Sequence, residues 1–151
     1  MGAQFSVTVT PAALTAASTK SLILLNPVTN RAVITEVSIS LNGSAAGTAV
    51  QFDLYRVVTI GSAAGATGTE NVLDPGSQAA TTTSLTTLTT EPTTVVVLDT
   101  WMVQELGGLI VVQYPLGREP VLAPAGARVG LRYTTAAATT PTCASTIWFE
   151  E

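Results

Sequence analysis

Five acidic side chains, Glu36, Asp53, Asp99, Glu105 and Glu119, are the first candidates for chemistry in this chain. Glycoside hydrolysis needs only two carboxylates facing each other across a cleft. Nothing in their spacing pairs them, and a single charge on the outer face of a strand is ordinarily solvated. The chain has no His, which removes the commonest general base near neutral pH and the commonest metal ligand. Ser-His-Asp and Cys-His machinery is therefore excluded. Cys143 is the single cysteine; it can form no intrachain disulfide, and one Cys without His does not make a structural zinc site. It reads as a small space-filler whose replacement by Ser is expected to be nearly silent. The Gly61-Ser62-Ala63-Ala64-Gly65 run lacks the lysine of a phosphate-binding loop, and the oxygen-rich stretch 70–74 lacks the ligand spacing of an EF-hand. The expectation is a chain that is not an enzyme and uses no metal or cofactor.

The two tryptophans admit two readings. Trp101 and Trp148 are either a sugar-stacking platform of the lectin-like kind or filler for a core poor in aromatic volume. Trp148 falls opposite Ile147 and Phe149 in the strand alternation, so it is the one expected to be exposed. Neither sits in a polar loop cluster, so a core or subunit-contact role is the preferred reading.

The whole chain must position these groups with little charge. Of its 151 residues only 11% are charged, against roughly 25% in ordinary soluble domains, while 46% are apolar and 5% aromatic. Val, Leu and Ile must therefore build the core, and these are sheet residues. A surface so poor in charge suits a chain covered by neighbours in an assembly. The net charge is −4, and the six basic residues are scattered. A nucleic-acid surface needs a dense basic footprint, so none is expected. The apolar runs 22–25 and 95–98 are far short of the roughly 20 residues that span a bilayer, so no membrane partner is expected. No charged and then apolar leader opens the chain, so a cleaved signal peptide is not expected. Met1-Gly2 with Ser6 matches the myristoylation pattern, but a first strand on Phe5, Val7 and Val9 is the simpler reading.

The alternation predicts one domain, 1–151, built of about eight strands with no convincing helix. Residues 32–60 read as a founding hairpin. Its first strand carries Val33, Thr35, Val37, Ile39 and Leu41 on one face; its second carries Val50, Phe52, Leu54, Val58 and Ile60, with Arg56 as the one charge among them. Asn42-Gly43-Ser44 supplies the reversal signal. Around it, a strand over 4–10 stops at Pro11, and Leu22, Ile23, Leu24 and Leu25 predict a strand buried on both faces. The run 95–98 continues through Trp101 and Val103 as a second two-sided core segment. Gly107-Gly108 turns into an apolar strand over 109–114. Strands over 128–135 and 143–149 alternate cleanly. The fold class predicted is all-β, an antiparallel β-sandwich that is jelly-roll-like.

Residues 61–92, rich in Thr, Ala, Gly and Ser, resist this scheme, because structureless loops of that length are uncommon in compact domains. Either they form a solvated connection with a short strand near 82–89, or they form an arm across a partner. In the second case Leu73-Asp74-Pro75-Gly76 is a fixed turn and Leu85 and Leu88 are contacts. The partner-contact candidates are Leu73, Leu85, Leu88 and Trp148.

The run Leu73-Asp74-Pro75-Gly76, the Thr-rich stretch into Glu91-Pro92-Thr93 and the Gly107-Gly108 turn resemble small virion proteins of tailed bacteriophages. So do Pro115-Leu116-Gly117-Arg118-Glu119, Val129-Gly130-Leu131-Arg132 and the closing Phe149-Glu150-Glu151, over roughly the last half of the chain. The resemblance implies a capsid decoration or cement protein, often a trimer, on the outer surface of a phage head, made in the host cytoplasm and bridging subunits of the major capsid protein. It brings no catalytic residues. The alternative is a receptor- or glycan-binding module, at a phage tail or lectin-like.

Overall fold

The computed structural model describes residues 2–43, 48–136 and 140–151. Every regular element among them is a strand: β1 (Gln4–Ala13), β2 (Thr19–Asn26), β3 (Ala32–Asn42), β4 (Ala49–Thr59), β5 (Ala64–Thr67), β6 (Asn71–Val72), β7 (Thr83–Thr90), β8 (Thr94–Gln104), β9 (Leu109–Gln113), β10 (Val121–Leu122), β11 (Val129–Thr134) and β12 (Thr142–Glu150). Two antiparallel sheets pack face to face. One has the order β10-β3-β12-β1-β6 with β9 also on β3; the other runs β5-β7-β2-β11-β4-β8.

Eight of these strands obey one rule of pairing. β1 pairs with β12, β2 with β11, β3 with β9, and β4 with β8, so the first four strands meet later ones in reverse chain order. Lateral pairing of β12 with β3 and of β11 with β4 then joins alternate pairs into the two sheets. That is jelly-roll connectivity, a long doubled ribbon rolled into a sandwich. Among the described residues the count is twelve strands where the alternation predicted about eight, because β5, β6 and β7 lie within 61–92 and β10 within the turn-rich stretch after Pro115.

The expected hairpin over 32–60 does not form. β3 belongs to one sheet and β4 to the other, and neither pairs with its neighbour in sequence. Its reversal signal lies partly at 44–47, outside the described residues. β3 also changes phase: Ile34, Val37, Ile39 and Leu41 are buried, because a bulge opposite Trp148 and Phe149 leaves Thr35 without a register partner on β12. In β4 the alternation holds through Leu54, but Arg56 and Val58 are exposed at the end of the strand while Val57 is buried. β1 runs past Pro11 because a bulge between Val9 and Ala12 removes the need for a ladder donor there.

β2 is buried on both faces, as its sequence predicts. Ile23 and Leu25 enter the core between the sheets with Phe5, Val7, Phe52, Leu131, Ile147 and Phe149, whereas Leu24 enters a second cluster with Tyr55, Val57 and Leu88. Leu24, Gly130 and Tyr55 stand in register across β2, β11 and β4, so this second cluster lies on the outer face of its sheet. Residues 61–92 cover it. β7 pairs with the edge of β2, and β6 with the edge of β1. Thr87, at φ 48°, breaks the alternation of β7 so that Leu85 and Leu88 both reach this cluster.

Candidate functional site

Four of the five candidate carboxylates are held by hydrogen bonds, whereas Glu105 Oε1 is buried without a hydrogen-bond partner. Asp53 is buried on β4; its Oδ2 accepts from Arg132 Nε and Nη2, both at 3.0 Å, and its Oδ1 from Thr100 Oγ1 and Gln51 Nε2, both at 2.9 Å. Asp99 accepts from the Thr100 N–H, and Glu119 from the Gly117 N–H. Glu105 is buried at the turn after β8, its backbone tied to Gly43 and Thr48. Glu36 lies on β3 and accepts from Gln113 Nε2 at 2.7 Å. In the stretch 70–74, Glu70 takes the Ser84 hydroxyl and Asp74 the Gly76 N–H. No group of three or more His, Cys, Asp or Glu side chains suited to a metal occurs among the described residues.

A second buried polar cluster fastens the fold. The N–H and hydroxyl of Ser21 both donate to Glu91, at 2.9 and 2.5 Å. The single hydroxyl hydrogen of Ser21 is thereby used, so at 2.7 Å it is Tyr55 that donates to Ser21. Burial pushes the Tyr55 phenol up to about 12, with the Glu91 charge adding to it against the Ser21 hydrogen bond and Arg132, whose guanidinium lies 5.5 Å above the ring. This tyrosine is fully buried, with no access for a substrate.

Two surface features remain. The first is the side of the roll formed by β8 and β9, each of which has a sheet neighbour on one side only, β4 and β3. The two-sided burial predicted for 95–98 is not found: Val96, Val97 and Leu98 are exposed, with Met102 61% exposed on β8 and Leu109 67% and Val111 52% on β9. Leu106 in the intervening turn and Leu116 just beyond β9 are exposed as well. A run apolar on both faces ordinarily signals a strand covered twice; here it lies at an edge with no layer over half its side chains.

The second feature is a cleft of about 360 Å³ around Trp148, bordered by Gln4, Thr35, Glu36, Leu73, Gln113 and Tyr114. Gln113, Glu36, Trp148 and Ser6 follow one another in register across β9, β3, β12 and β1. The alternation of β12 buries Ile147 and Phe149 and turns Trp148 outward, half-buried.

The candidate contact residues therefore separate. Leu73 and Trp148 come together at this cleft, Leu73 being held by a bond from its N–H to the Gln4 carbonyl. Leu85 and Leu88 pack on the opposite sheet, and Leu88, 2% exposed, is interior and not available as a contact. Trp101 packs against the main core. Sequence reasoning missed the exposed side chains of β8; the absence of any polar alternation over 95–98 was the available signal, read as core. No family model, curated protein or solved structure matches this chain.

Proposed function

We propose that this chain is a structural virion protein, a decoration or cement subunit that associates as a homo-oligomer, most simply a trimer, and binds the outer surface of a phage head across major capsid subunits. The observation that carries this reading is the open apolar side formed by β8 and β9. Edge strands are normally blunted with Lys, Pro or short length, because unpaired N–H and C=O groups recruit further strands. β8 has eleven residues, no Pro and no Lys, and Asp99 as its one charge. Such an edge, on a chain with 11% charged residues, is suited to cover by another protein surface. The contact surface of this reading moves from 61–92, which the chain uses to close its own sheets, to the opposite side of the roll.

Two measurements test it. The protein should copurify with intact virions at a copy number set by the capsid lattice. The double variant Val97→Lys, Val111→Lys should keep its β circular dichroism and a melting free energy within about 1 kcal/mol, since both sites are exposed, yet lose self-association in light scattering and lose capsid binding. A strictly monomeric wild-type protein that is absent from virions would overturn the reading.

A further inference from the structure

We infer that the cleft at Trp148 is a binding site for a neutral saccharide. The inference is independent of the assembly reading. Trp148 brings a half-buried indole to the outward face of its sheet, where the small, buried Ser6 stands beside it in register. The C–H face of a pyranose ring is apolar and electropositive, which suits the electron-rich face of an indole. Stacking alone would accept any flat ligand. What narrows the class is the polar border.

Glu36 and Gln113 are joined at 2.7 Å, which fixes a carboxylate and an amide next to the indole. The second carboxylate oxygen and the amide carbonyl are acceptors and the other amide hydrogen a donor, a set that matches adjacent sugar hydroxyls, each of which both donates and accepts. The amide of Gln4, exposed on β1, adds a further donor and acceptor, and Leu73, 46% exposed, gives the border an apolar side. A purely aromatic ligand would desolvate these groups without returning hydrogen bonds, at a cost in affinity. No Lys or Arg borders the cleft, and Glu36 is anionic, so uronic and sialic acids are disfavoured by like charge. The volume of about 360 Å³ falls in the range of small-ligand sites and suits a mono- or disaccharide.

The test is a titration of the isotope-labelled full chain with lactose, maltose and N,N′-diacetylchitobiose, with glucuronic acid as the acidic comparison. The Trp148 indole N–H signal is assigned by its loss in Trp148→Phe, and Trp101 serves as internal control. At least one neutral disaccharide should shift Trp148 saturably at millimolar concentrations and leave Trp101 in place, while glucuronic acid should not. Trp148→Ala should weaken binding at least about tenfold. If that variant does not fold, Glu36→Ala and Gln113→Ala, on the outer face, replace it with the same expectation. The inference is overturned if no neutral saccharide moves Trp148, if the acidic sugar binds as well, or if the variants bind like wild type.

Discussion

Tyr55 fills the space that a side chain at position 130 would need: a Cβ built on Gly130 would stand 2.4 Å from the Tyr55 hydroxyl oxygen and 2.9 Å from the Ile23 carbonyl. The phenol is held by Ser21, and the carbonyl is backbone, so neither yields easily. Gly130→Ala should destabilise the protein by about 1–3 kcal/mol through overpacking. Chemical denaturation of the two proteins measures this, and a variant as stable as wild type would show that the phenol swings aside.

Removal of 66–87 with a short Gly/Ser bridge should abolish cooperative unfolding. It takes away β6 and most of β7, reopens the edges of β1 and β2, and uncovers Leu24 and Tyr55, both nearly inaccessible in the intact chain. Loop-closure entropy, which on the sequence alone makes such a deletion cheap, is outweighed by lost burial. A sharp thermal transition in the deleted protein would contradict this assignment.

Glu151 makes stability depend on acid. Burial raises its carboxyl, but hydrogen bonds from the Thr82 N–H and from the Thr81 N–H and hydroxyl outweigh burial and hold it below the ordinary 4.5. A carboxylate whose folded value is depressed contributes stability above the unfolded value, and loses it as pH falls through the folded one. Amide exchange at Thr81 and Thr82, corrected for its intrinsic pH dependence, should accelerate as pH drops below 4.5. In Glu151→Gln that dependence should flatten.

Cys143 is 1% exposed within the main core, and burial pushes its thiol up to about 12. The nearly silent Ser replacement expected from sequence no longer follows, because a hydroxyl at this depth needs a partner. Cys143→Ser should cost about 1–3 kcal/mol. The native thiol should stay inert to Ellman's reagent at about pH 8.5, where a free cysteine is half ionised. Rapid labelling of the folded protein would refute the placement.

What the sequence made legible is local. The alternation in 143–149 and 128–135 located β12 and β11 and their inward faces, and it turned Trp148 outward. The consecutive apolar residues 22–25 identified a strand covered twice. Partnership between strands was not legible. β3 and β4 are neighbours in the chain, but the better partners of each are distant, and an Asn-Gly signal carries no information about which sheet receives the next strand. The run 95–98 has the composition of a covered strand like 22–25; only its place at the edge distinguishes them. In 61–92 the Thr-rich sequence hides β7, because Thr is compatible with strand and loop alike, and the bulge at Thr87 that brings Leu85 and Leu88 together leaves no periodic trace. The polar border of the Trp148 cleft comes from three strands, β1, β3 and β9, far apart in sequence from one another and from β12, so no motif could announce it.

The nested pairing of the roll also sets an order of events. β4 and β8 can meet before the later strands of the roll have been made, but β2 must wait for β11, and β1 for β12, the last in chain order of the paired strands described. Ala3 and Glu151 exchange backbone hydrogen bonds in both directions, so this latch closes only after β12 has been made and freed to pair with β1. Pairings of such long sequence separation close slowly. Until then the strands made first stand with open edges, which makes the nascent half, rather than the finished roll, the species most exposed to aggregation.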